Sequence, residues 1–468
     1  MAIATTDPTA GKTLEEFEAL GSAALEGKLA QAAAAFAKYR GTSFAQRATW
    51  LERAADILDD ENDRLATIIT REMGKPLPSA RAEVAKCAIG ARFYARHAEQ
   101  FLADEPVPGE AVGASKAYTH WQPLGPVLAV MPWNFPFWQV MRFAAPTLMA
   151  GNVGLLKHAS NVPRSALAFE DIFTRAGLPE GVFQTLLIDT SQIESVINDS
   201  RVVAVTLTGS EGAGRSVGAL AGRAVKKSVL ELGGNDPYIV LPSADLAQAA
   251  AVGVQSRCQN TGQSCVAAKR FIVHADVVDE FRDLLVKGMA ELVMGDPMAP
   301  GTDVGPLATP AGLADVSALV RDAVDRGATV LLGGHPGPGP GWFFEPTLLT
   351  DITEDMRIYR EELFGPVAQL YTVPDLDGAI ELANATDLGL SASAWTDDEA
   401  EQAVLIDGLE CGAVFINGMS VSYPELPFGG IKNSGHGREL AAMGIKEFCN
   451  AKTVWVRSRG GAGTPADC

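Results

Sequence analysis

The chain is poor in the residues that build metal centres and disulfide frameworks. Six cysteines and six histidines are scattered over 468 residues. Cys87, Cys258, Cys265, Cys411, Cys449 and Cys468 form no CxxC pair, and the histidines form no HExxH or HxH group. This argues against a zinc site and a disulfide scaffold, and suits a reducing compartment. No metal is expected. Basic residues are also in deficit: 38 Lys and Arg against 57 Asp and Glu give a net charge of −19. Phosphate backbones repel such a surface, so nucleic acid is not an expected partner. The opening residues, MAIATTDPTAGKT, lack a basic stretch followed by an apolar one. No secretory signal is expected there, and the expected location is cytoplasmic.

A membrane span is missing too, although one segment imitates it. Residues 121–141 carry no charge, and about 20 apolar residues suffice to cross a bilayer. Pro123, Pro126, Pro132 and Pro136 interrupt this run, with Asn134 among them. Freed backbone groups would find no partner in lipid, so a buried strand and turn is expected instead.

What is present is globular: 47% hydrophobic, 20% charged, 47 glycines, 27 prolines and no internal repeat. The length suggests two large domains or three ordinary ones. Residues 13–101 read as helical, with long helices over 44–73 and 81–101 and a stop at Gly74-Lys75-Pro76. Residues 105–113 read as a loop and 115–122 as an exposed strand. Strands at 127–131, 153–157, 185–188, 202–207 and 229–231 then alternate with helices at 138–149, 164–176 and 214–222. The pattern restarts after GGNDP, with a strand at 238–241, a helix at 244–258 and a strand at 270–274. Such alternation implies parallel sheets covered by helices, here in two α/β domains meeting near 232–234. The tail, 458–468, is small, polar and expected to be loose.

Four stretches carry chemistry. In QNTGQSCVAAKR, Cys265 follows glycine and polar residues just before a strand. A thiol there can stand at a cleft rim and attack a carbonyl, or it is a buried structural cysteine. In VLELGGNDP, Glu231 ends an apolar strand, where a carboxylate can act as general base or merely mark a turn. In MPWNFPFW, Asn134 can donate to an oxyanion beside the Cys265 N–H, or cap the next helix. TLTGSEGAGRSVG (206–218) is a strand, a small-residue turn and a helix. It can cradle a phosphate on backbone N–H groups or be an ordinary βα turn.

Taken together, PWNFPFW, LLKHASNVP, TGSEGAGRSVG, LELGGNDP, QNTGQSC, EELFGPV and LPFGGIKNSGHGREL resemble the aldehyde dehydrogenase superfamily over 44–455. The resemblance implies a Rossmann-type cofactor domain (1–111 and 126–232), an α/β catalytic domain (233–438) and a small β oligomerisation arm (112–125 and 439–468). It implies homodimers or homotetramers. It implies that Cys265 attacks the aldehyde, that Asn134 and the Cys265 N–H hold the oxyanion, and that hydride passes to a nicotinamide. Glu231 would then activate the water that releases the acid. Cofactor contacts would come from Trp133, Lys157, Gly209, Ser210, Leu232, Glu362 and Phe364. Members that prefer NAD often carry an acid three residues after the lysine; here it is Ser160. Without a carboxylate there, NADP is the expected preference, with NAD usable.

Within the superfamily, NFPFWQVMR and QNTGQSC are most similar to bacterial succinate-semialdehyde dehydrogenases. Their substrate contacts would map to Trp138, Arg142 and Ser422. Arg142 is the lone charge in its apolar stretch, so it is either a clamp for a substrate carboxylate or a buried arginine paired with an acid. Some such enzymes have Arg six residues before the nucleophile, where this chain has Gln259. Some animal members have a partner cysteine two residues after it, where this chain has Ala267. A broader aliphatic or glutarate-semialdehyde enzyme, an acyl-CoA-forming member and a non-catalytic relative are the alternatives. The presence of Cys265, Glu231 and Asn134 favours a hydrolytic enzyme.

Overall fold

The computed structural model describes residues 2–458. The expected loose tail therefore lies, from 459 onward, outside the described residues. Four helices, Ser22–Tyr39, Phe44–Asp60, Asn62–Met73 and Leu77–Phe101, fill most of the first hundred residues. The second starts at a capping box. Ser43 Oγ accepts from the Gln46 N–H at 3.2 Å, and Gln46 Oε1 accepts from the Ser43 N–H at 3.0 Å. Gly74, at φ 78°, ends the third.

Four sequence expectations are corrected here. The single helix expected over 44–73 is two, because Glu61 leaves helical geometry (φ −107°, ψ 19°). Asp59, Asp60, Glu61, Asn62 and Asp63 crowd like charges and short polar side chains that favour caps over helix interiors. Residues 13–17, read as helical, belong to a strand, Lys12–Phe17, antiparallel to Ile3–Asp7. Pro8 and left-handed Gly11 (φ 64°) turn the chain, and Asp7 Oδ1 accepts from the Thr9 N–H at 2.8 Å. Within 105–113, expected to be a loop, Glu105–Val107 is a strand paired with Lys116–Pro123. The strand expected at 185–188 lies earlier, at Phe183–Thr185. Beyond it the Ile188 N–H folds back onto the Leu186 carbonyl at 2.9 Å.

The first large sheet runs Gly435–His436, Lys227–Glu231, Ala204–Thr208, Pro126–Met131, Val153–His158, Phe183–Thr185. All are parallel except Gly435–His436, which joins the edge antiparallel although it belongs by sequence to the second half. From Pro126–Met131 the chain builds outward to one side and then to the other. That reversal is a topological switch point, and ligands bind outside the carboxyl ends of such strands. The second sheet has seven strands in the order Thr329–Leu332, Thr347–Thr350, Val367–Val373, Arg270–His274, Pro237–Val240, Ala392–Trp395, Val414–Ile416. It is parallel except at its Thr329–Leu332 edge. A third sheet of three strands ends in Cys449–Val456, paired along its length with Lys116–Pro123.

One apolar core joins the first sheet to the N-terminal helices. Phe169, Phe173 and Phe183 pack within it, the last two with ring centroids 4.8 Å apart. Each such ring contributes about 1.5–3 kcal/mol by leaving water. The helix Trp138–Met149 is buried on every side. Any charge it carries therefore needs a partner inside the protein.

Candidate active site

The segment that delivers Cys265 is a left-handed turn. Asn260 (φ 54°, ψ 32°), Thr261 (φ 57°, ψ 34°) and Gly262 (φ 71°) all adopt positive φ. For Asn and Thr this is strained backbone, at about 1–3 kcal/mol per residue, and the surroundings must hold it. Thr261 Oγ1 donates to the Gly305 carbonyl at 3.1 Å. Asn260 Nδ2 donates to the carbonyls of Asn134 (2.8 Å) and Gln263 (3.0 Å). At Gly262 an added Cβ would stand 2.2 Å from the Gly365 carbonyl oxygen. The turn that follows closes with the Ala267 N–H on the Ser264 carbonyl at 3.2 Å. Among the described residues, no backbone carbonyl accepts from the Cys265 N–H. Burial pushes the Cys265 thiol up to about 12, with the charges of Arg142 and Lys269 opposing that rise.

Asn134 lies beside this turn. Its Nδ2 donates to the Gln263 carbonyl at 3.2 Å, which leaves its second amide hydrogen for another acceptor. Its own carbonyl accepts from Lys75 Nζ at 3.0 Å. Lys75 is paired with Glu83, both buried. Glu83 Oε1 also accepts from the N–H groups of Phe137 (2.8 Å) and Trp138 (3.0 Å). One buried acid thus caps the helix after Asn134 and anchors the lysine that holds Asn134.

Glu231 ends its strand as expected, and it is buried with neither carboxylate oxygen hydrogen-bonded. Burial holds its carboxyl well above the usual range, and nearby Glu439 pushes the same way against Arg142 and Arg438. An unpaired carboxylate in such a place is poised to take a proton rather than to stabilise the fold. Next to it, Gly234 could bear no side chain, since a Cβ would lie 2.6 Å from the Cys265 carbonyl oxygen.

Arg142 meets an acid inside the protein, as one of its two readings expects. Its guanidinium pairs with buried Glu439, lies 4.5 Å from the Phe428 ring centroid and reaches Thr208 Oγ1 at 3.4 Å. The cause is the burial of its whole helix, which obliges the charge to find an acid inside. We expect Arg142→Leu to lower kcat/KM for charged and uncharged aldehydes by similar factors, as paired initial-rate measurements would show. A selective loss with the charged aldehyde would restore the clamp.

The cofactor candidates line the carboxyl edge of the first sheet. Trp133 follows Pro126–Met131, and Phe364 meets it edge-on at 5.8 Å between centroids. Gly209 and Ser210 follow Ala204–Thr208, and Ser210 caps the helix Glu211–Arg223 through the Ala213 N–H at 3.3 Å. Leu232 packs over Gly214, where a Cβ would meet its Cδ1 at 2.4 Å. Glu362 accepts from the Gly234 N–H at 3.2 Å and pairs with Lys269 at 3.1 Å. Lys157 is buried at the carboxyl end of Val153–His158, donates to the His158 carbonyl at 2.9 Å and is held below its ordinary pKa by burial. Near it, Ser160 stands where a carboxylate would repel a phosphate, and the buried Asn161 Nδ2 lacks an acceptor. Donors without a carboxylate among them suit a phosphorylated ribose.

On the other side of Asn134 lies a cavity of about 670 Å³. Phe135, Trp138, Cys258 and Gln259 line it, as does Lys86 from Leu77–Phe101. Ser422 accepts from Trp138 Nε1 at 2.8 Å. The structure thus places Trp138 and Gln259 on this cavity, with Ser422 bonded to Trp138 behind its lining.

Comparison with known proteins identifies the family and the fold. The model of the aldehyde dehydrogenase family matches residues 1–454. The chain belongs to that family. It is 58% identical over 459 residues to succinate-semialdehyde dehydrogenase NADP(+) of Mycobacterium avium (strain 104), covering 98% of this chain and 97% of that one. It is 57% identical over 456 residues to succinate-semialdehyde dehydrogenase NADP(+) 1 of Mycobacterium tuberculosis (strain H37Rv), covering 97% and 100%. The structure of succinic semialdehyde dehydrogenase from Streptococcus pyogenes with NADP+ superposes with a TM-score of 0.95 at 39% identity, over 97% of this chain and 100% of that one.

In this aldehyde dehydrogenase several supporting residues escaped the sequence reading. Arg257, fully buried, donates to the Gly262 carbonyl at 2.5 Å. Lys269 donates to the carbonyls of Ser264 (3.1 Å) and Cys265 (2.7 Å). A sequence signal existed for Lys269, which with Arg270 puts two adjacent charges at the entry to an apolar strand. Lys75 and Glu83 were legible only as helix-boundary and helix residues. Lys75→Met leaves Glu83 buried and unpaired, so about 3–5 kcal/mol of stability should be lost in urea unfolding. A loss under about 1 kcal/mol would show that the pair is not desolvated as the structure has it.

Proposed function

We propose that the chain oxidises succinic semialdehyde to succinate, with NADP preferred and NAD used less well. The observation that carries this is the meeting of the Cys265 turn and the Asn134 amide at one sheet edge, with buried, unpaired Glu231 nearby. The names of the relatives above support the substrate and cofactor. Ser160, Lys157 and Asn161 favour NADP, because none of them is a carboxylate that would repel a 2′-phosphate.

Overall, aldehyde, NADP+ and water give carboxylic acid, NADPH and a proton. Cys265 Sγ, as thiolate, bonds to the carbonyl carbon. The oxygen takes the electron pair and is held by the Asn134 amide and the Cys265 N–H. When bound, the dinucleotide supplies the acceptor for the aldehyde hydrogen and its electron pair. Trp133, Gly209, Ser210, Leu232, Glu362 and Phe364 orient it; Lys157 and Ser160 hold its ribose end. Cys265 is left as a thioester. Glu231 then takes a proton from water as the water attacks, and the carbon–sulfur bond breaks. Trp138, Gln259 and Ser422 shape the substrate pocket. The exposed edge of Cys449–Val456 suits pairing between subunits, as a homodimer or homotetramer. Among the described residues no helix is long and apolar enough to cross a membrane; we infer a cytoplasmic enzyme acting on a small aldehyde.

The test is the initial rate of NADPH formation with succinic semialdehyde against butanal. A tenfold preference in kcat/KM, about 1.4 kcal/mol, supports the carboxylated substrate. Equal rates would make this a general aldehyde dehydrogenase. The same assay with NAD should run more slowly at low cofactor.

A further inference from the structure

Beneath the Cys265 turn lies a buried cation whose charge the turn itself does not require. Lys269 is fully buried, and its Nζ donates to the carbonyls of Ser264 (3.1 Å) and Cys265 (2.7 Å). The same Nζ stands 3.1 Å from Glu362 Oε1. Among the described residues, Glu362 is the one carboxylate within ion-pair distance of it. Carbonyls alone would be served by a neutral donor. A buried charge costs free energy unless an acid answers it. Here the answering acid is a cofactor candidate from a distant part of the chain.

Glu362 is tied on one side and open on the other. Its Oε1 meets both the Gly234 N–H, at 3.2 Å, and the lysine. Among the described residues nothing donates to Oε2, and 21% of the side chain is exposed. At Gly233 an added Cβ would lie 2.5 Å from Oε2. At Gly234 it would lie 2.6 Å from both the Cys265 carbonyl oxygen and Asp236 Oδ1. The two glycines thus leave room for the carboxylate, the lysine and the nucleophile's backbone to meet.

Four charges bear on the Cys265 thiol. Arg142 and Lys269 favour the thiolate, and Glu362 and Asp236 oppose it. Asp236 is sealed in, bonded to Ser391 and pushed up to about 7 by burial, with Lys269 first among the groups opposing that rise. Glu362 is the acid that a ligand can reach. A sugar hydroxyl donating to Oε2 disperses the carboxylate's charge, and Lys269 then acts on the thiol less opposed.

We propose that Lys269 is a positioning residue that links Glu362 to the Cys265 carbonyl, so that a ribose engaging Glu362 makes the thiol more reactive. This rests on the proposed roles of Cys265 as nucleophile and Glu362 as ribose contact. The test reads the thiol rather than turnover. The full-length enzyme is treated with iodoacetamide near neutral pH, with and without NADP+, and alkylation of the Cys265 peptide is followed by mass spectrometry. Site-resolved reading is needed because Cys411 is also partly exposed. A fluorescence titration sets saturation for each variant.

NADP+ should speed alkylation by about 3- to 10-fold, since a gain in thiolate is partly offset by weaker nucleophilicity. 2′-Phospho-ADP-ribose, which has the sugar but not the cationic ring, should do the same. 2′,5′-ADP, which lacks that sugar, should not. The acceleration should vanish in Lys269→Met and in Glu362→Gln and persist in Lys269→Arg. Should Lys269→Met not fold, Lys269→Gln, which keeps a donor and drops the charge, takes its place with the same expectation. Acceleration that survives loss of the lysine's charge overturns the proposal. So does acceleration by NADP+ that 2′-phospho-ADP-ribose fails to reproduce, because the ring's charge would then suffice. NADPH formation in the same preparations separates the two readings. Turnover of succinic semialdehyde without acceleration removes the link alone; acceleration without that turnover upholds the link and removes the substrate assignment.

Discussion

Cys265→Ala should abolish aldehyde oxidation, lowering kcat by on the order of 10³-fold or more, while cofactor affinity stays near that of the wild type. The reason lies in what holds the turn. Arg257 grips the Gly262 carbonyl, Lys269 grips those of Ser264 and Cys265, and the Ala267 N–H closes on Ser264. None of these contacts uses the sulfur. Alanine therefore keeps the backbone, including the N–H proposed to meet the oxyanion, and removes only the proposed nucleophile. The assay pairs NADPH formation with a fluorescence titration of cofactor. Turnover within tenfold of wild type would take Cys265 out of the chemistry. Lost cofactor binding would mean that the sulfur also props the cleft.

The same residues show which parts of the molecule the sequence could announce. Alternating strands and helices are local signals, and the parallel sheets with their loaded carboxyl edges follow from them. Glu231, Gly209 and Lys157 were legible because each ends or follows an apolar strand. The left-handed stretch at Asn260 and Thr261 was not, since Asn260 and Gly262 tolerate positive φ but β-branched Thr261 between them rarely adopts it. The N-terminal hairpin hid because six residues are too few for a periodicity to assert itself. Pairings between distant segments were the least visible. Arg142 could be seen to need an acid, but nothing local names Glu439. Lys86 looked like one more polar position on a long helix, and the hydroxyl it touches lies 336 positions away.

Titration of the site follows from burial and has a definite sign. Cys265 is a thiol near neutral pH, raised to about 12 by burial, and only its thiolate attacks. Glu231 is likewise held protonated above the usual carboxylate range, chiefly by burial and then by Glu439. Both groups become competent by losing a proton, so each step gains rate as pH rises. Kcat with butanal, which owes nothing to a charged substrate, should climb steadily from about pH 6 to 9. A flat profile would mean that cofactor binding has already moved both groups into their working forms.

Glu231→Gln should separate the two halves of the reaction. Glutamine is nearly isosteric with glutamate, so the cleft near Gly429, where an added Cβ would come within 2.6 Å of Glu231 Oε1, stays filled. The backbone carbonyl of residue 231, which accepts from the Gly209 N–H at 3.0 Å, is untouched. Removal of the carboxylate spares attack by Cys265 and removes the base that activates water. Stopped-flow mixing should then show a burst approaching one NADPH per subunit, followed by a steady rate about 10²–10⁴-fold below wild type. The slow phase should also lose the rise with pH that Glu231 imposes. If the burst disappears along with the steady rate, Glu231 acts before the thioester forms, as the base that deprotonates Cys265. The unpaired state of both its oxygens is compatible with either proton, so the amplitude of the burst decides which one it takes.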